Sequence, residues 1–327
     1  MTASAAIAGC GRIGRKRAEA LETLGVNVAT VFDTDPDNAE ELAQRLPGRV
    51  LVAGSAEEAF SHESVDFAVV ATTHAALAPV AMAAIENGCD VLVEKPGATS
   101  LDELIQLAEA AKSHSRTVRV GLNHRFHPAI TKAKELIDAD DLGEIMHLRA
   151  RYGHGGRVGY EKEWRANREL SGGGELMDQG MHLIDLARLF LGDVELAFSE
   201  LRTDYWNMDV EDNAFLVLRS TQGALAWLHA SWTEWKNLFS LEIALEQAKI
   251  EVLGLGGSYG TERLTLHRML PEMGPPLTSA WEWPRPDESW LAELKDVLDG
   301  LSGQPYRGAD LDDCIAAFRI VERAYEK

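Results

Sequence analysis

The first turn of the chain constrains most of what can follow it. An apolar run at residues 5–8 leads into Gly9-Cys10-Gly11-Arg12-Ile13-Gly14, and residues 12–24 then place Ile13, Ala20, Leu21 and Leu24 at helical spacing. A strand that enters a helix through G-x-G-x-x-G at the start of a βαβ unit is the fingerprint of a dinucleotide fold. The first glycine permits the tight turn, the second lets backbone approach a pyrophosphate, and the third lets helix and strand pack closely. The phosphates would rest on the N–H groups that open the helix.

Alternation continues from there. Residues 27–32, 67–71, 91–93 and 118–121 read as strands, and residues 37–46, 75–87 and 101–114 as helices, with Pro36 near a first turn and Gly88 as a stop. Strands separated by helices at this spacing predict a parallel sheet covered on both faces. Near residue 123 the texture changes. Residues 127–137 and 177–191 read as helices, then 196–205, 214–220, 224–232, 241–245, 250–253 and 264–267 as strands with one polar face. Residues 273–286, rich in Pro and Trp, read as a surface connection, and 291–298 and 311–325 as closing helices. The fold class is therefore α/β. An N-terminal Rossmann domain (1–123), a doubly wound parallel sheet, precedes a C-terminal α+β domain (124–327) with a large, mainly antiparallel, open-faced sheet.

Composition narrows the partners. A formal net charge of −20 over 327 residues disfavours nucleic acid and anionic membrane surfaces, which need a basic face. No apolar stretch approaches the roughly 18 residues of a membrane span, and the N-terminus lacks the basic start of a signal peptide. Cys10, Cys89 and Cys314 are odd in number and far apart. They suit reduced thiols in a cytoplasmic protein, and neither a disulfide framework nor a metal site.

Asp33 closes the second strand 19 residues after Gly14. A carboxylate there accepts hydrogen bonds from a ribose diol and repels a 2′-phosphate. No arginine lies within several residues of it, so NAD is favoured over NADP. Asp35 reads instead as a cap for the following helix. A second glycine-rich run, Gly254 to Gly260, leads into a strand rather than a helix. It reads as an irregular turn, with a loop touching substrate or a neighbouring subunit as the alternative.

Hydride transfer from an alcohol carbon leaves an alkoxide unless the hydroxyl proton departs too, so the chemistry needs a base and a cation near that oxygen. Lys95 follows the fourth strand, at the strand ends where open sheets bind ligands, and Pro96 favours an extended Lys95. Asp178, His182 and Asp185 recur along one stripe of an otherwise apolar helix, where unpartnered polar groups would be costly. They therefore line a cleft or pair with one another.

These segments carry a resemblance. Val93-Glu94-Lys95-Pro96, Ala71-Thr72-Thr73, Gly121 to Pro128 (GLNHRFHP) and Gly172 to Gly192 (GGGELMDQGMHLIDLARLFLG) resemble, in order, four motifs of the glucose–fructose oxidoreductase / inositol dehydrogenase (Gfo/Idh/MocA) family. The resemblance implies Lys95, Asp178 and His182 as catalytic: His182 the general acid/base, Asp178 the hydroxyl-binding and imidazole-orienting group, Lys95 the oxyanion stabiliser. It implies a cofactor site of Gly9, Gly11, Arg12, Ile13, Gly14, Asp33, Ala71, Thr72, Thr73, His74, Glu94 and Lys95. Thr73, His74 and Leu77 depart from the family's usual Pro, Asn and His. The resemblance also implies a homodimer or homotetramer through the C-terminal sheet.

Substrate contacts are expected from the glycine-rich segment after Tyr152, through His154, Arg157, Tyr160, Trp164 and Arg165, since mobile loops with such side chains form lids. Arg125, in the crossover, either contacts substrate or holds the domains together. Asp185 reads as structural, and Trp232 and Trp235 as core or interface. The function expected is NAD-dependent hydride transfer at a secondary alcohol of a sugar, cyclitol or nucleotide-sugar. An NAD-dependent glycosidase using transient oxidation, and an inactive cofactor-binding regulator, are the alternatives.

Overall fold

The computed structural model describes residues 4–139 and 141–326. In chain order the elements run β1 (Ser4–Ala8), α1 (Arg12–Thr23), β2 (Asn27–Phe32), α2 (Pro36–Arg45), β3 (Leu51–Val52), α3 (Ala56–Phe60), β4 (Phe67–Val70), α4 (His74–Glu86), β5 (Asp90–Glu94), α5 (Leu101–Ser113) and β6 (Val118–Gly121). Then come α6 (Pro128–Asp138), β7 (Ile145–Gly153), α7 (Arg168–Ser171), α8 (Met181–Leu191), β8 (Val194–Arg202), β9 (Asn213–Ser220), β10 (Leu225–Ser231), β11 (Leu238–Leu245) and β12 (Ala248–Leu253). The chain closes with β13 (Glu262–Arg268), β14 (Leu277–Trp283), α9 (Ser289–Leu301), β15 (Ala309–Asp310) and α10 (Leu311–Tyr325).

Two compact units result: residues 1–123 with 169–172 and 290–318, and residues 124–168, 173–289 and 319–327. The sheet of the first has the order β15-β6-β5-β4-β1-β2-β3. All its pairs are parallel except β15 with β6. β1 and β4 are buried throughout and, Ser4 apart, apolar, as strands covered on both faces must be. Ile7, Leu21, Val31, Leu42, Phe67 and Leu92 form the core beneath α1 and α2, and α9 adds Leu294 and Val297 to it. Local chemistry fixes the helix starts: the Asp35 side chain caps α2, and Ser100 and Glu103 form a capping box on α5. The chain winds outward from β1 to β3, then returns to β4 on the other side of β1. That reversal puts the crevice above β1 and β4 at the switch point of the sheet.

The second unit has an eight-stranded sheet ordered β14-β13-β12-β11-β7-β10-β9-β8, antiparallel except where β10 meets β7. Helix α6 packs on β12, β13 and β14, and α8 on β7, β8 and β10. In β7, Leu148, Ala150 and Tyr152 face inward and alternate with Arg149 and Arg151. Two expectations are corrected. The Pro- and Trp-rich connection contains the edge strand β14, whose mostly exposed side chains mask its periodicity. The helix expected over 177–191 begins as a π turn, Leu176–Gly180, and becomes α-helical only at Met181.

Candidate active site

The glycine turn of the first unit leaves no room for side chains where backbone segments meet. A Cβ on Gly9 (φ +92°) would lie 2.5 Å from the Ala71 carbonyl, and one on Gly14 would lie 1.8 Å from the Gly9 oxygen. Gly11, by contrast, faces open space, with nothing within 4 Å of a Cβ built there. Gly11 also caps α1, with no side-chain cap and no acidic residue in the first turn. The N–H groups of Arg12, Ile13 and Gly14 therefore open a helix that its own side chains do not cap, an arrangement suited to a pyrophosphate. Asp33 is half-buried at the end of β2. Its Oδ2 accepts from the Cys10 N–H at 2.6 Å and its Oδ1 from the Asp35 N–H at 2.9 Å. Burial beside this carboxylate pushes the Cys10 thiol up to about 12.

Ala71, Thr72 and Thr73 form the turn after β4, anchored by Ala71 N–H to Ala8 O at 2.8 Å. His74 opens α4; it is buried, and its Nδ1 lies 2.8 Å from the Ser171 carbonyl. Lys95 leaves β5 half-buried. The carboxylate of its neighbour Glu94, expected on the cofactor, is committed to Arg17 at 2.7 Å, and Arg17 also reaches Glu293 of α9 at 2.6 Å. Burial disfavours the Arg17 charge, and the carboxylates of Glu94 and Glu293 outweigh it, so its pKa rises. Sequence reading missed Arg17 because its partners lie 77 and 276 residues away.

In the second unit His182, 5% exposed, stacks on His124 at 3.7 Å between ring centroids and 25° between planes. Tyr152 closes against both rings edge-on. The π turn presents Asp178 to Arg165, Oδ2 to Nε at 3.2 Å. The expected imidazole-orienting carboxylate thus carries a guanidinium, which lies 4.4 Å over the Trp164 ring. Gln179, from the same turn, accepts from the Tyr259 hydroxyl at 3.1 Å and donates to Glu175 Oε1 at 2.7 Å and the Tyr152 carbonyl at 3.2 Å. The glycine-rich run 254–260 therefore delivers Tyr259 to this cluster. Burial raises the Tyr152 hydroxyl well above its usual range, and Tyr259 beside it adds to the effect. Neither His124 nor Tyr259 was singled out by sequence; a histidine inside the crossover motif was the available signal for the first.

Arg125 grips Asp185 of α8 through Nε at 2.9 Å and Nη2 at 2.5 Å, with Asp185 1% exposed. Aromatic packing anchors one point of the glycine-rich segment. Tyr160, 2% exposed, lies edge-on to Trp232 and against Trp206, in a small core rather than on an open face. His154 Nδ1 accepts from the Gly156 N–H at 2.9 Å, and burial lowers its pKa. Arg157 is exposed and pairs with Glu163 at 2.7 Å.

Comparison with known proteins adds matches of three kinds: family models, relatives and a solved structure. Residues 3–122 match the model described as "Oxidoreductase family, NAD-binding Rossmann fold", and residues 130–259 match the GFO/IDH/MocA C-terminal domain. Inositol 2-dehydrogenase 2 of Saccharopolyspora erythraea is 29% identical over 69% of this chain and 65% of its own length, so the match spans just under two thirds of that protein. D-apiose dehydrogenase of Rhizobium rhizogenes is 25% identical over 98% of this chain and 94% of its own. The crystal structure of GenD2 from gentamicin A biosynthesis, in complex with NAD, superposes with a TM-score of 0.84 at 27% identity, covering 99% of this chain and 93% of that one. Among the described residues no helix is long and apolar enough to cross a membrane.

Proposed function

The chain belongs to the Gfo/Idh/MocA family of oxidoreductases, and from that premise we propose that it moves a hydride between NAD and a secondary alcohol of a sugar-like substrate. The observation that carries this is the cradle of the first unit: Gly9 and Gly14 packed too tightly for any Cβ, open space above Gly11, and Asp33 at the end of β2 held by the Cys10 N–H, which supports a ribose-reading role for its carboxylate. When bound, the nicotinamide supplies the hydride acceptor or donor. The dehydrogenases among the relatives act on polyols and pentoses by name, which supports a sugar or cyclitol class here.

In this proposal His182 takes or returns the hydroxyl proton, an imidazole being suited to that exchange near neutral pH. Its stack on His124 fixes the ring plane. Asp178 accepts a substrate hydroxyl hydrogen bond while Arg165 balances its charge. Lys95 supplies a cation to the developing oxyanion. The buried thiols Cys10, Cys89 and Cys314 support a cytoplasmic setting. Phe198, Leu225, Trp227 and Leu253, exposed on the open face of the second sheet, support pairing of copies through it.

The test is a screen of inositols, aldoses, sugar phosphates and nucleotide-sugars with NAD, followed by NADH absorbance. At least one should be oxidised, and His182→Ala should lower its turnover about 100-fold or more while NAD still binds. Near-normal turnover in that variant removes His182 from the chemistry.

A further inference from the structure

We infer that Arg15 is a latched discriminator of the dinucleotide 2′ position, held by Glu41 and Asn38 so that it serves a ribose diol and not a 2′-phosphate. The inference rests on the proposed NAD site and goes on to what that site refuses. Arg15 lies one turn into α1. Its Nε donates to the Cys10 carbonyl at 3.1 Å, and its Nη2 to Asn38 Oδ1 at 3.3 Å and Glu41 Oε2 at 2.6 Å. The N–H of the same Cys10 binds Asp33. One residue thus places a guanidinium beside the carboxylate that would read the ribose. Arg15 is far from Asp33 in sequence and arrives from the preceding helix.

Both halves of this arrangement oppose a phosphate. Asp33 repels it directly. Arg15, the cation that could receive it, is already engaged by Glu41, a carboxylate it shares with Arg45, and α2 starts with further acids at Asp35 and Asp37. The Arg15 side chain is 25% exposed, so a ligand can reach it. A 2′-phosphate carries nearly two charges and three strong acceptors, which a guanidinium fork meets well once it is free. Two changes are therefore needed to admit it: loss of the Asp33 charge and release of Arg15.

Binding of 5′-AMP and adenosine 2′,5′-bisphosphate, followed by calorimetry, reads this without any turnover. The intact protein should prefer 5′-AMP. Asp33→Asn keeps an acceptor for the Cys10 N–H and should narrow the preference. Adding Glu41→Gln should reverse it, with a gain about 10-fold beyond the product of the two single changes, since the sites are coupled. Arg15→Leu, placed in that double variant, should erase the extra gain. Arg15→Lys, which keeps the charge but loses the fork, serves should the leucine variant not fold, and should erase most of it. If the double variant binds the bisphosphate equally well with Arg15 replaced, or if Glu41→Gln adds nothing to Asp33→Asn, the latch is overturned. Failure of the intact protein to bind either nucleotide or NAD would overturn the NAD site itself, a distinct outcome.

Discussion

Replacing Arg17 by alanine should destabilise the first unit by about 3–5 kcal/mol at neutral pH, as breaking a buried charge pair generally does. The geometry sets the size. The guanidinium is fully buried and makes two short bonds, at 2.7 Å to Glu94 and 2.6 Å to Glu293, whose side chains are 9% and 0% exposed. Each charge-assisted bond contributes about 1.5–3 kcal/mol, so two give about 3–6 kcal/mol, which brackets that range. The truncation leaves two carboxylates facing a cavity with the cation gone. Burial then favours their neutral forms, so the folded variant binds protons more readily than its unfolded chain. Its deficit should therefore shrink as pH falls from 7.5 toward 5.5. Urea unfolding followed by far-ultraviolet circular dichroism and tryptophan fluorescence at both values gives the measurement; Trp290, whose ring lies 4.6 Å from the Arg17 guanidinium carbon, is a local reporter. Combining Arg17→Met with Glu94→Gln and Glu293→Gln should recover most of the loss, because neutral groups of similar shape need no counter-ion. A deficit under about 1 kcal/mol, or one unchanged by pH, would refute the claim that the cation holds these carboxylates.

Three further outcomes are expected. Gly9→Ala and Gly14→Ala should each abolish measurable NAD binding by calorimetry, since their Cβ atoms would meet backbone at 2.5 and 1.8 Å; retained affinity would mean the turn is not the cradle. Tyr325→Phe removes a 2.7 Å bond to Glu211, whose carboxyl burial already pushes up and which accepts from the Gly174 and Leu176 N–H groups at the entry to the π turn. It should lower stability by about 1–3 kcal/mol and reduce turnover, and an unchanged melting temperature would contradict this. His229 is held down to about 4, chiefly by burial and then by Arg151, from an ordinary 6.5. Between those values the unfolded chain binds the extra proton. Stability is therefore full above about 6.5 and declines as pH falls toward 4, by on the order of 2 kcal/mol. His229→Phe should flatten that decline in chemical unfolding curves.

What the sequence made legible follows the range of the forces involved. Residues 4–32 were readable because apolar spacing and glycine chemistry act locally, and the observed β2 (Asn27–Phe32) has the bounds its periodicity predicts. Strand β7 was not legible although Leu148, Ala150 and Tyr152 alternate with charged residues, because it runs directly into glycine-rich sequence that carries loop chemistry. Strand β14 hides its period by exposing nearly every side chain, as an edge strand can. The π turn at Leu176–Gly180 has no pattern of its own: it alters register by one residue within a continuous helical run. In the candidate site, motif residues such as Gly9, Lys95 and His182 were found by local context. Arg17, Arg15, His124 and Tyr259 were not, since their roles come from partners brought near by tertiary packing.

The most direct measurement is titration of the purified protein with NADH, followed by nicotinamide fluorescence and repeated on Gly14→Ala. One saturable site per chain, lost in the variant while its circular dichroism spectrum is retained, is the predicted result. A flat titration of the unaltered protein would contradict the account at its base.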